Sequence, residues 1–192
     1  MVSTRLFGPL SILSSTLLIL TTINPIAVAA DATTTTTTTT KPTKLVNDVC
    51  NRTSNYTFCV STLYMDPRTP TTDDYGLAFI TFGMTYLNAT GTQDIIAKFL
   101  KTTKESQKLQ LLETCRRDYD KAVSALEMAY GDLNSETFFE LADLAGNASA
   151  AAKDCQNAFK DARDRPLTAR NRGLKDLCEI CVVVSKLFTG GF

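Results

Sequence analysis

The most regular pattern in the chain is a set of apolar residues spaced three and four positions apart in its second half. The set keeps this spacing over three heptads and comprises Leu112, Cys115, Tyr119, Ala122, Leu126, Ala129 and Leu133. Residues with this spacing lie on one face of an α-helix, and so long a seam contacts neighbouring helices over its whole length. We therefore predict a long amphipathic helix here.

A second helical pattern precedes this seam, from about position 74 to 100. Asp73 or Asp74 is a suitable N-cap, whereas Gly83 and Gly91 weaken the helix propensity of the segment. Its predicted inner face consists of Ala78, Phe82, Tyr86, Ala89, Ile96, Phe99 and Leu100.

Two more helical patterns follow the seam. The first, with Ser135 and Glu136 as cap and first-turn charge, has the inner face Phe138, Leu141, Ala145, Ala148, Ala152, Cys155, Phe159 and Ala162. The second runs from Thr168 or Asn171 to Phe188, with the inner face Leu174, Leu177, Cys178, Cys181, Val184 and Phe188. Short connections between long amphipathic helices predict an up-down-up-down four-helix bundle at about 73–189.

Two short amphipathic segments precede the bundle, at about 45–52 and 56–64. The sequence Asp66-Pro67-Arg68-Thr69-Pro70 then ends any helix, because a proline disfavours helix at the residue before it. We therefore predict an all-α fold in which a short helical hairpin, at about 45–70, precedes the bundle within a domain spanning 45–192.

The first thirty residues have the order of a secretory signal peptide. Arg5 is their only charge, positions 10–23 are mostly apolar, and Ala27-Val28-Ala29-Ala30 supplies small residues for cleavage. The apolar stretch is shorter than a membrane span requires, so we predict a signal peptide at 1–30 rather than an anchor. The run Thr33–Thr40 has no apolar periodicity and predicts a disordered linker at 31–44, either bare or carrying O-linked sugar.

Charge and composition limit the possible functions. Lys and Arg total 20 and Asp and Glu total 20, so loss of Arg5 with the signal leaves one net negative charge. This argues against nucleic acid or a membrane surface as the main partner. The chain contains no His, which removes the usual general base and zinc ligand. We predict no catalytic residue, metal or cofactor, and therefore a protein that is not an enzyme.

Six cysteines in a secreted chain suggest disulfides. Cys115 and Cys155 are equidistant from position 135, where the second and third bundle helices meet, and both lie on inner faces. Residues equidistant from the turn of an antiparallel hairpin lie opposite each other, so we predict the bond Cys115–Cys155. Cys50 and Cys59 flank the turn of the short hairpin, and we predict that they form the second bond.

Cys178 and Cys181 remain. A Cys-x-x-Cys spacing suggests a redox pair, but such pairs lie at a helix start beside a strand. Here they are inside an apolar helix, which favours buried thiols or a local disulfide. Native labelling of either cysteine would support the redox alternative.

Four Asn-x-Ser/Thr sequons are possible sites of N-glycosylation, at Asn51, Asn55, Asn88 and Asn147. Asn88 and Asn147 fall off the predicted inner faces. We expect at least one of the four to be modified.

Several short segments together resemble the plant invertase and pectin methylesterase inhibitor family. They are Val49-Cys50, Tyr56-Thr57-Phe58-Cys59-Val60, Asp66-Pro67-Arg68-Thr69, Leu112-Glu113-Thr114-Cys115-Arg116-Arg117-Asp118-Tyr119 and Ala152-Lys153-Asp154-Cys155 with Phe159. The resemblance covers 45–188 and is nearest to the invertase inhibitors that include pollen allergens of plane tree.

The resemblance implies a function. Members bind a cell-wall or vacuolar invertase or pectin methylesterase one to one and block its substrate cleft, so we expect a monomer secreted to the apoplast or cell wall rather than sent to the vacuole. Invertase inhibitors present Pro-Lys-Asn or Pro-Lys-Phe between the second and third bundle helices. The matching turn here is Gly131, Asp132, Leu133, Asn134, Ser135 and Glu136.

The candidate turn keeps the Gly-Asp lead-in of the family but lacks its Pro-Lys. This departure supports an alternative, a non-inhibitory secreted relative that is allergen-like, a storage protein or a carrier of apolar ligands. A carrier would bind an apolar dye in its native state, whereas a filled bundle would not.

Overall fold

The computed structural model describes residues 41–191, and this part of the chain is helical without strands. The predicted signal peptide and threonine run lie outside the described residues. The helices are α1 (Lys44–Cys50), α2 (Tyr56–Leu63), a 3₁₀ helix (Thr69–Thr71), α3 (Asp74–Thr102), α4 (Ser106–Asn134), α5 (Leu141–Ala158) and α6 (Thr168–Thr189).

The four long helices form the predicted bundle. Each packs against its neighbour in sequence, and α6 returns to pack against α3, which closes the ring. The connections 103–105, 135–140 and 159–167 are short, so consecutive helices run antiparallel. The all-α fold class is thereby confirmed.

The heptad seam of α4 forms the centre of the core. All seven of its predicted residues are fully buried. Helix α5 packs against α4, and its residues Ala145, Ala148 and Ala152 are also fully buried. Because alanine side chains are small, α4 and α5 approach closely, and the Cα atoms of Cys115 and Cys155 are 4.5 Å apart.

Helix α3 is unbroken across Gly83 and Gly91. Asp73 is its N-cap, and the backbone N–H of Gly76 donates to Asp73 Oδ1 at 2.8 Å. Buried threonine hydroxyls in α3 donate hydrogen bonds to backbone carbonyls of the same helix. For example, Thr81 Oγ1 donates to the carbonyl of Leu77 at 2.7 Å. These internal bonds satisfy polar groups that would otherwise oppose burial.

The predicted start of the third bundle helix was wrong. Ser135 ends α4 instead of capping the next helix, and α5 begins at Leu141. Its N-cap, Glu140, makes no side-chain capping bond. Phe138 and Ala162 therefore lie outside α5, where they are half-buried. The difference arises because α4 closes with a turn of its own, which the spacing of apolar residues does not report.

The short hairpin is also present. Thr43 caps α1 and Asn55 caps α2, each through its side chain. Helix α1 packs against α6, and the backbone N–H and hydroxyl of Ser54 donate to the Glu179 carboxylate at 2.8 and 2.6 Å. These contacts attach the hairpin to the last helix of the bundle.

Within residues 41–191, none of the helices has the length and apolar character needed to cross a membrane.

Candidate target-binding turn

The turn after α4 has a defined hydrogen-bond pattern. The N–H of Thr137 donates to the carbonyl of Asp132 at 2.9 Å, and the N–H of Glu136 donates to that of Leu133 at 3.2 Å. This is the Schellman arrangement, which normally places glycine at the left-handed position. Here Glu136 occupies it with φ of 54°. A non-glycine residue in this region costs free energy, so the surroundings must hold the turn in place.

Aromatic residues from α3 and α6 provide that support. The hydroxyl of Tyr75 donates to the carbonyl of Leu133 at 2.8 Å. The ring of Tyr75 meets Phe138 edge-on with centroids 6.2 Å apart, and Phe138 stacks on Phe188 at 4.4 Å. These contacts attach both ends of the turn to the bundle and reduce the conformational entropy that binding would otherwise cost.

The six predicted turn residues differ in what they offer a partner. Leu133 is fully buried and belongs to the core, and Asp132 is half-buried. The other four are exposed: Gly131, Asn134, Ser135 and Glu136. The continuous stretch predicted from sequence therefore reduces to these four positions at the surface.

Sequence reasoning missed Phe139, which follows the turn directly. It is 85% exposed, the highest value among the exposed large apolar residues of the described chain. The signal was the pair Phe138-Phe139, because adjacent residues point in different directions and only one of them can face the same core. An exposed aromatic ring on a loop is typical of a binding residue.

A groove of about 610 Å³ between α3 and α4 continues from the turn. Gly131 and Asn134 line its end, Tyr130 and Tyr86 its walls, and Leu87, 69% exposed, its edge. The hydroxyl of Tyr86 donates to Glu127 Oε1 at 3.1 Å, and this bond to a carboxylate raises the pKa of Tyr86. The turn and groove thus form one surface of apolar, amide and carboxylate groups.

Both predicted disulfides are present, Cys50–Cys59 within the hairpin and Cys115–Cys155 between α4 and α5. Cys178 and Cys181 are free and fully buried. Burial raises the pKa of both thiols, for Cys181 to about 12. A redox pair needs an accessible and acidic thiol, so the structure does not support that alternative.

No group of three or more candidate metal ligands occurs among the described residues.

Comparison with known proteins decides the family. The model of the family described as plant invertase/pectin methylesterase inhibitor matches residues 44–184. The chain belongs to the plant invertase/pectin methylesterase inhibitor family. The match begins at the first residue of α1 and ends within α6, so it spans the hairpin and the bundle.

Two relatives of this inhibitor-family chain have names that specify different targets. It is 36% identical over 150 residues to cell wall / vacuolar inhibitor of fructosidase 2 from Arabidopsis thaliana, covering 74% of this chain and 81% of the relative. It is 29% identical over 148 residues to a pectinesterase inhibitor from Actinidia deliciosa, covering 76% and 80%.

The fold of the family is also matched in a solved structure. A crystal structure of a mutant form of a pectin methylesterase inhibitor from Arabidopsis aligns with a TM-score of 0.69 at 22% identity, covering 76% of this chain and 97% of that one.

The four sequons of this inhibitor-family chain differ in accessibility. Asn51 and Asn147 are exposed. Asn55 is exposed, but its Oδ1 accepts from the N–H of Phe58 at 3.0 Å. Asn88 is half-buried inside α3, and its Oδ1 is buried without a hydrogen-bond partner. A glycan therefore has most room at Asn51 and Asn147.

Proposed function

We propose that the mature protein is a secreted inhibitor that binds one plant invertase or pectin methylesterase molecule and blocks its substrate cleft. The observation that carries this proposal is the family match over 44–184, which includes the candidate turn. Invertase is the first target to test, because the relative named as a fructosidase inhibitor is 36% identical and the one named as a pectinesterase inhibitor is 29% identical.

The turn supports the proposal through its rigidity and its exposed groups. Phe139 offers an apolar anchor of the kind that dominates binding energy at interfaces. Asn134, Ser135 and Glu136 surround it with polar groups. In the proposed complex, Phe139 replaces the missing Pro-Lys as the main contact of the turn with the target. The α3–α4 groove contacts the rim of the target's substrate cleft.

We propose an apoplastic or cell-wall location, with the signal peptide at 1–30 and the linker at 31–44, and a monomeric domain at 45–192. Asn51 and Asn147 are the proposed glycosylation sites, because both side chains are exposed. Asn147 borders the groove between α4 and α5. A glycan there would cover that groove and leave the α3–α4 groove free for the target.

The test is a titration of the oxidised mature protein, residues 31–192, against a cell-wall invertase and a plant pectin methylesterase in parallel at mildly acidic pH. We expect one activity to be lost at near-stoichiometric inhibitor. Full activity of both enzymes in the presence of protein shown to be folded would contradict the proposal.

Because the candidate turn lacks Pro-Lys, we also consider a second function, that of a non-inhibitory secreted relative. The same titration tests it. If neither enzyme is inhibited, an apolar dye separates the kinds of relative. Native dye binding would indicate a carrier, and its absence would favour a storage or allergen-like protein.

A further inference from the structure

A groove between α5 and α6 has a distinct charge. It has a volume of about 420 Å³ and is lined by Lys153, Gln156, Thr168, Asn171, Arg172 and Lys175, with Ala152. We call it the basic groove. Its lining contains three cations and no acidic residue, whereas each of the other three grooves described has at least one Asp or Glu in its lining.

The three cations are exposed and make no ion pair within the part of the chain that the structure describes. Lys153 lies on α5, and Arg172 and Lys175 lie one turn apart on α6. Asp176 follows on α6 but is neither in the lining nor paired with Arg172. The groove therefore presents positive charge from both walls to any ligand that enters it.

The floor of the groove is a fixed hydrogen-bond chain. Asn171, only 4% exposed, accepts from the Tyr119 hydroxyl at 2.9 Å and donates from Nδ2 to Gln156 Oε1 at 3.0 Å. Gln156 Nε2 in turn donates to Thr168 Oγ1 at 3.3 Å. Each side-chain amide has two N–H donors, and one N–H of Asn171 and one of Gln156 are used in this chain. The second N–H of each amide is therefore available to a ligand, as is the hydroxyl proton of Thr168, which only accepts here.

We propose that the basic groove binds a carboxylate-bearing polysaccharide, a chain of uronate sugars. Three cations distributed over two walls suit the repeated carboxylates of such a polymer, since Lys and Arg form charge-assisted hydrogen bonds with carboxylates. The spare amide and hydroxyl donors on the floor suit sugar oxygens. This site goes beyond the proposed inhibition.

The position of the basic groove lets both functions operate together. In the ring of helices, the α5–α6 pair is opposite the α3–α4 pair that forms the groove beside the turn. A polysaccharide bound between α5 and α6 would hold the inhibitor in an acidic matrix and leave the α3–α4 surface accessible to its target.

The test is affinity electrophoresis of the mature protein in gels that contain polygalacturonate, at low salt and mildly acidic pH. The variant carries Lys153→Gln, Arg172→Gln and Lys175→Gln. A control carries Lys98→Gln, Lys101→Gln and Lys104→Gln, which removes the same charge at exposed positions in and just after α3. Fully methyl-esterified polygalacturonate serves as the uncharged polymer and dextran sulfate as an unrelated polyanion.

We expect polygalacturonate to retard the wild-type protein more than either other polymer does, and salt to abolish the effect because these charges are exposed to screening. The groove variant should bind at least about tenfold more weakly, and the control should bind like wild type. Circular dichroism would verify that both variants are folded.

Three results would overturn the proposal. One is no retardation of the wild type by polygalacturonate. Another is equal weakening in the groove variant and the control, which would indicate a general effect of net charge. The third is equal or tighter binding to dextran sulfate or to the methyl ester. Enzyme titration of the same variants is a separate readout, so failure of this site and failure of the proposed inhibition are distinguishable.

Discussion

At the scale of the residue, Glu136 adopts a backbone conformation that residues other than glycine disfavour. Its φ of 54° lies in the left-handed region, where a non-glycine residue pays ~1–2 kcal/mol. The Schellman bonds and the aromatic support from Tyr75 and Phe138 hold it there. Strained residues of this kind concentrate at binding sites, which fits the position of Glu136 in the candidate turn.

The substitution Glu136→Gly should therefore stabilise the protein. Glycine adopts positive φ freely, so the substitution removes the backbone strain at this position. The larger conformational entropy of glycine in the unfolded chain offsets only ~0.5–1 kcal/mol of that stabilisation. We expect a net increase of about 0.5–1 kcal/mol in the free energy of unfolding, measured in urea. Glu140→Gly, at a position with φ of −88°, is the control and should bring no gain. A loss of stability in Glu136→Gly would contradict the account of the turn.

Phe139 is expected to contribute to binding and not to folding. Because the residue is 85% exposed, Phe139→Ala should leave the unfolding midpoint unchanged. Loss of an interface anchor typically costs about 2 kcal/mol, which is about a thirtyfold weaker inhibition constant. Met65→Ala, at another exposed apolar residue, 74% exposed and outside the turn, should inhibit as wild type does. Equal inhibition by the Phe139 variant would remove Phe139 from the interface.

At the scale of elements, the two disulfides close loops of different length. Cys50 and Cys59 are 9 residues apart, and Cys115 and Cys155 are 40 apart. In the chain-entropy model, the shorter loop contributes about 2.5 kcal/mol and the longer one about 4 kcal/mol. The bond between α4 and α5 should therefore be the more important for stability.

Paired Cys→Ala variants test this order. Replacing Cys115 and Cys155 together should lower the free energy of unfolding by about 1.5 kcal/mol more than replacing Cys50 and Cys59 together. Urea unfolding of both double variants beside wild type provides the measurement. The reverse order would mean that packing of the hairpin on α6 depends on its disulfide more than loop closure predicts.

The α3–α4 groove is the second element-scale feature, and Leu87 tests its part in binding. Leu87→Glu keeps good helix propensity but adds a charge at an apolar edge, so we expect inhibition to weaken about tenfold. Met128→Glu is the matched control, since Met128 is 59% exposed and lines the α4–α5 groove instead. If both variants inhibit equally well, the target does not contact the α3–α4 groove.

At the scale of the whole molecule, the bundle buries two free thiols in its core. Cys178 and Cys181 are fully buried, and Cys181 Sγ lies 3.1 Å from Thr85 Oγ1 on the neighbouring helix. We expect no labelling of the native protein by a thiol reagent at pH 8, and two labelled thiols per chain in denaturant. Burial raises the pKa of both thiols, so raising the pH to 9 should not produce native labelling. Rapid native labelling would restore the redox alternative.

Much of the architecture was predictable because it depends on local periodicity. The α4 seam and the end of α6 before Gly190 agree with the structure, and of the two predicted N-cap candidates of α3, Asp73 and Asp74, the structure has Asp73 as the cap. The Cys115–Cys155 bond was predictable because an antiparallel hairpin places residues equidistant from its turn opposite each other. The start of α5 was not, because the Schellman turn replaced the predicted cap at Ser135 with bonds between backbone groups.

The sequence by itself determined the order of the long helices, the bundle and the pairing of four cysteines, since spacing along one chain sets which residues share a face. It did not determine where α5 begins. Only the tertiary structure decided which turn residues reach the surface, leaving Phe139 exposed and Leu133 buried. It also brought Lys153 beside Arg172 and Lys175, residues that belong to different helices. Surface sites of this kind depend on how helices pack against each other, and periodicity within one helix does not specify that arrangement.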